Sequence, residues 1–167
     1  MSIIQLTILE EIFNKPVEQN SQQTIQKQIE DISKVYSSNI LSYQELFNYF
    51  IQTRVENLKI WITQQLSYQI EKYYVQYPDK EKILFRTALF FIIDNKMTEL
   101  METSNNNSSN TSLNTFNPLL NQKFAQLIII WLKYDYPDSS NTFFNDFMSR
   151  IYKLKDKLDL MISLLSK

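Results

Sequence analysis

Leu127-Ile128-Ile129-Ile130-Trp131-Leu132 lies inside a stretch, residues 119–134, that reads as one helix after Pro118. Six apolar residues in a row cover the full circumference of a helix, so this helix is expected to be buried between neighbours on all sides. The run is far too short for the ~20 residues that a membrane span needs. The sequence on either side has the spacing of further helices that could serve as neighbours.

Upstream, Ile25, Ile29, Ile32, Val35 and Tyr36 recur at three- and four-residue intervals, which predicts a helix over about 20–36. Ser42-Tyr43-Gln44-Glu45 has the form of a capping box opening a helix that bears Leu46, Phe47, Phe50 and Ile51. A longer helix is expected over about 55–75, with Leu58, Trp61, Ile62, Leu66 and Ile70 on one side. Asp79 caps another to about 101, apolar nearly all round from Ile83 to Ile93. Downstream, Phe143, Phe144, Phe147, Met148 and Ile151 form one stripe, and Leu154, Leu158, Met161, Leu164 and Leu165 a last one. Pro16, Pro78, Pro118 and Pro137 punctuate this pattern near helix starts, where a missing N–H costs least.

Residues 103–115 break the periodicity. They are almost entirely Ser, Asn and Thr, too poor in apolar groups to offset their ordering entropy, and read as a disordered insert. The expected organisation is thus 1–102 as the first helical repeats, 103–115 as the insert and 116–167 as the following repeat. One helix pair recurs every 40 to 50 residues, a period that matches HEAT-type solenoids. The fold class is all-α, with antiparallel helix pairs stacked as a right-handed HEAT-like array that stops in mid-course. A compact bundle is the competing arrangement.

Composition restricts the chemistry. The 167 residues include no Gly, no His and no Cys. Without Gly there is no phosphate-cradling loop, dinucleotide fingerprint or nucleophile elbow. Lack of His removes imidazole-based triads and metal sites, and lack of Cys removes thiols and disulfides. The net charge of −1 gives no field for phosphate backbones or anionic lipid. A binding scaffold without catalysis, cofactor or membrane insertion is the expected class. The adjacent carboxylates Glu10, Glu11, Glu30 and Asp31 point in different directions on a helix and make no acid/base pair.

Gln122-Lys123-Phe124-Ala125-Gln126-Leu127, then Asp135-Tyr136-Pro137, then Phe143-Phe144-Asn145-Asp146-Phe147, follow one another in an order that resembles the nuclear exportins. In that family an Asn-Lys-x-x-Gln helix runs into Tyr-Pro, a Trp and Phe-Phe-x-Asp. The helix with Leu58-Lys59-Ile60-Trp61-Ile62-Thr63-Gln64-Gln65-Leu66, and Leu84-Phe85-Arg86 with Leu89, are similar to the tRNA exportin (exportin-t) family within the importin-β superfamily. Gln122 stands where the family has Asn, and Ser140 where it has Trp. Exportins are several times longer, so the likeness covers about their first three repeats.

The resemblance implies a receptor that shuttles between nucleus and cytoplasm and binds Ran in its GTP state. It would engage tRNA only as part of the full-length receptor, and nuclear pore proteins as it passes. Ran would lie against inner helices, by position about 42–54, 79–97 and 138–152. Arg86, Lys123 and Gln126 are the candidate partner-binding residues. Each has a plainer reading: Arg86 pairs locally, Lys123 snorkels beside a buried helix, and Gln126, like Gln64, bonds across helices. Trp61 and Trp131 are expected to be core anchors.

Overall fold

The structure is a computed structural model that describes residues 3–14, 22–105, 117–136 and 145–153. Among the described residues every regular element is helical, so the chain is all-α. In order these are α1 (Ile3–Asn14), α2 (Gln22–Ser38), α3 (Tyr43–Gln52), α4 (Glu56–Tyr73), a 3-10 turn (Tyr74–Gln76), α5 (Asp79–Asn105), α6 (Pro118–Asp135) and α7 (145–153). Helix α5 continues to Asn105, so the first three residues of the expected insert are helical. Residues 106–116, Pro16, Pro137 and the last apolar stripe at 154–167 lie outside the described residues.

Helix α4 is the centre of the packing. It touches α1, α2, α3 and α6, and lies most extensively against α6. Helix α5 packs on α3. Helix α7 reaches both α5 and α6: Arg150 donates to Asp94 at 2.9 Å, and Phe147 meets Trp131 edge to face at 6.1 Å. A single cluster of buried side chains runs from Leu6 and Leu9 through Leu58, Ile62, Phe85 and Leu89 to Leu127, Trp131 and Phe147. The segments before and after the insert therefore share one core. Aromatic edges fill much of it, with Tyr43, Phe47, Tyr74, Tyr77 and Phe85 in mutual ring contact.

A chain with no Gly must end its helices without the left-handed cap that Gly usually supplies. No described residue has a positive φ. Side chains from α4 and the turn after it do the capping of α2 instead. Gln69 donates to the Tyr36 carbonyl at 2.7 Å, Tyr73 to that of Ser37 at 2.8 Å, and Tyr77 to that of Ile40 at 2.8 Å. The last carbonyls of a helix have no partner within it, and these side chains, with the Ser42 hydroxyl on Tyr36, supply partners from outside. The start of α6 follows the usual pattern: Asn117 is extended, accepts from the N–H groups of Leu119 and Leu120, and precedes Pro118.

Two sequence expectations need correction. Ser42 and Glu45 form no capping box, because Ser42 is already helical at φ −63° and ψ −16°. Its hydroxyl turns back and donates to the Tyr36 carbonyl at 2.8 Å. Nor is α6 buried all round. Leu120, Phe124, Leu127 and Trp131 are buried at the three- and four-residue spacing of one face, while Ile129 is 66% exposed. Helix α5 is one-sided too, with Leu84 and Phe91 exposed opposite Phe85 and Leu89.

Candidate functional site

Lys123 and Gln126 come together with Gln64 in a groove between α4 and α6. The groove holds about 320 Å³ and is lined by Thr63, Gln64, Ser67, Tyr68 and Glu71 from α4 and Lys123, Gln126 and Ile130 from α6. Helical spacing explains the set. Gln64, Ser67, Tyr68 and Glu71 share one stripe of α4, and Lys123, Gln126 and Ile130 share one stripe of α6. The two stripes flank the seam where these helices pack.

The chemistry of the groove is polar and mixed in sign. Thr63 and Ser67 use their hydroxyl protons within α4, donating to the carbonyls of Lys59 at 2.7 Å and Thr63 at 3.0 Å. Gln64, Tyr68, Glu71 and Gln126 are exposed, and Lys123 is half-buried. Lys72 lies 5.3 Å from the centre of the Tyr68 ring, close enough for a cation–π contact at the rim. One ammonium, one carboxylate and two amides suit a peptide or protein surface, since amides both donate to and accept from a main chain. Tyr68 and Glu71 were not anticipated from the sequence. Their signal was their spacing from Gln64, four and seven residues on along one face.

Arg86 is elsewhere, and its role as a partner contact needs correction. Its side chain is 8% exposed and ion-paired to Asp135, whose side chain is 3% exposed. Nη2 lies 2.5 Å and Nε 2.7 Å from the same Asp135 oxygen. Tyr74 donates its hydroxyl to that oxygen at 2.5 Å, and the indole N–H of Trp131 donates to the Tyr74 hydroxyl at 3.2 Å. Burial is the largest influence on Arg86 and works against its charge, but the hydrogen bond to Asp135 and the attraction of Tyr74 and Asp135 together hold the guanidinium above its ordinary value. Burial, then the hydrogen bond to Asp135, pushes the Tyr74 phenol up. This network ties α5, α6 and the 3-10 turn together. The reason lies in the fold: Asp135 ends α6 directly beside Arg86, and an unpaired buried cation would cost several kcal/mol, on the order of 3–5.

Trp61 and Trp131 are both core residues, 6% and 1% exposed. Among the described residues no cluster of His, Cys, Asp and Glu could hold a metal ion, and no helix is long and apolar enough to cross a membrane. Glu10 acts structurally, accepting from the hydroxyls of Tyr49 at 2.8 Å and Thr53 at 2.5 Å to fasten α1 to the end of α3. The site that remains is a polar groove on a helix seam, and no known protein family, curated protein or solved structure matches the chain that carries it.

Proposed function

We propose that this chain is a helical-repeat scaffold that works by binding protein partners, stacked in the manner of HEAT repeats and acting as a nuclear export receptor module of the tRNA exportin type. Its partner would be Ran in its GTP state, with tRNA engaged only in the context of a full-length receptor. The observation that carries this reading is the alternation of the helices. α2, α4 and α6 touch in one row, α3 and α5 in a second, and α3 pairs with α4 across them. α7 extends the second row against α5 through Arg150 and Asp94. Stacked helix pairs require such alternation. α1, which touches α4 as well as α2, is a departure from it.

The row α3, α5, α7 corresponds to the inner helices of the exportin reading. Its outward surface carries Leu84 and Phe91 on one stripe of α5 and Ile151 and Tyr152 on α7, all exposed. Large apolar groups in a row fit a protein partner better than a nucleic acid. A second reading, an α-helical adaptor unrelated to export, is favoured by one specific observation. The groove of Gln64, Lys123 and Gln126 lies on the α4–α6 seam, in the other row.

Titration with Ran·GTP and Ran·GDP tests the first reading. Weak binding with a clear preference for the GTP state is expected, because a partial array offers only part of a receptor surface. Phe91→Ala should weaken it roughly tenfold or more if this stripe forms the centre of the contact. Equal affinity for the two nucleotide states sinks the export reading. Binding of another protein that Lys123→Glu abolishes and Phe91→Ala leaves intact would establish the adaptor.

A further inference from the structure

We propose that the groove between α4 and α6 binds an extended segment of a partner protein, in which an acidic and a basic residue stand four positions apart with an apolar residue midway. This deepens the adaptor reading and rests on it, because it names the ligand of the same groove. Helices α4 and α6 run parallel. Asn117, just before α6, donates to Glu56 at the start of α4 at 2.9 Å, and Tyr74, just after α4, donates to Asp135 at the end of α6. Both contacts join residues 61 apart (117 − 56 and 135 − 74), so an α6 residue lies level with the α4 residue 61 positions earlier.

That register orders the groove. Lys123 is level with Ile62, Gln126 with Gln65 and Ile130 with Gln69. Along the seam the ammonium of Lys123 therefore comes first, and the amides of Gln64 and Gln126 come next. Tyr68 and Ile130 follow, and the carboxylate of Glu71 is last. From Lys123 to Glu71 is nine residues of helix, about 13 Å. Opposite charges thus stand at the two ends. Lys72 is 5.3 Å from the centre of the Tyr68 ring but does not line the groove. The side chains of Lys123, Gln64, Gln126 and Glu71 have no hydrogen bond or ion pair with any other described residue, so their capacity is open to a ligand. Amides both donate and accept, which suits a peptide main chain. An extended chain rises about 3.4 Å per residue, so about 13 Å corresponds to four residues, and residues i, i+2 and i+4 share one face. The acidic side chain then meets Lys123, the apolar one Tyr68 and Ile130, and the basic one Glu71. The rule is the spacing of the unlike charges, in either chain direction.

A capped seven-residue peptide with Glu second, Val fourth, Lys sixth and Ser elsewhere, titrated into the full chain at low salt, tests this. It should bind at least about fivefold more tightly than a peptide of the same composition with Glu and Lys two positions apart. Lys123→Glu should weaken it by about fivefold or more, because repulsion replaces attraction. The same variant should recover binding for a peptide with Arg in place of its Glu, a rescue that a misfolded chain cannot give. Phe91→Ala, in the other row of helices, should leave peptide binding as it was. Equal affinity for the two spacings, no binding at millimolar peptide, or a Lys123→Glu variant that shows no loss or no rescue would overturn the proposal. A protein partner that Lys123→Glu releases but the peptide does not displace would keep the adaptor reading and overturn this one.

Discussion

Arg86 and Asp135 are worth more as a pair than either is alone. Removing one partner leaves a charge inside the core, whereas replacing both with apolar groups removes the desolvation cost along with the bond. Asp135→Ala should therefore lower unfolding stability by about 3–5 kcal/mol in urea titration. The double change Arg86→Leu with Asp135→Leu should cost clearly less. If the double variant loses as much as the sum of the singles, the two residues are not coupled and the network has no role in the core. Tyr74 adds to this arrangement because its hydroxyl bridges the Trp131 indole to the same carboxylate. The pairing was not visible in the sequence. Arg86 was recognisable as a charge breaking an apolar run, but its partner sits at the far end of another helix, and only the packing of α5 and α6 shows that they meet.

At the level of elements, the helix starts at Ser42 and Asn117 behave differently. Asn117 caps α6 with two backbone hydrogen bonds, and its amide also donates to Glu56 at 2.9 Å. Asn117→Ala should cost about 1 kcal/mol, read from the shift in the denaturation midpoint. No change would mean the cap is redundant with Pro118. The helices α2 to α7 and their approximate limits were legible, because the apolar stripes recur along them, whereas α1 (Ile3–Asn14) was not anticipated. The faces were not. Ser42 looks like a cap in sequence, but the turn at 39–42 makes it helical, so its hydroxyl serves α2 instead. Ile129 looks buried in a run of six apolar residues, but burial depends on how many neighbours a helix has, which periodicity does not report. Lys123 and Gln126 were singled out through the family resemblance together with Arg86, and the groove that they share with Gln64 became apparent only once α4 and α6 were seen to pack.

For the molecule as a whole, the buried phenols govern behaviour in base. Burial, helped by Glu81, pushes Tyr43 up to about 12 from its ordinary 10.0, and burial raises Tyr77 and Tyr74 in the same direction. Folded phenols thus hold their protons when unfolded ones have lost them. The stabilising contribution is complete below about pH 10 and is lost as the pH climbs through about 12. Alkaline unfolding should coincide with the rise of tyrosinate absorbance, and Tyr43→Phe should make the loss of stability with pH less steep. A stability curve flat from neutral pH to about 12 would contradict the burial of these rings. The central place of α4 has a consequence for how the protein is made. Its largest contact is with α6, which begins at residue 118, well after α4 ends at Tyr73. At a synthesis pace of about 5–20 residues per second, the nascent chain carries the uncovered α4 face for seconds before its main partner leaves the ribosome. The part of α4 that α6 later covers is then open to a holding chaperone, and slow codons between α4 and α6 would lengthen that exposure.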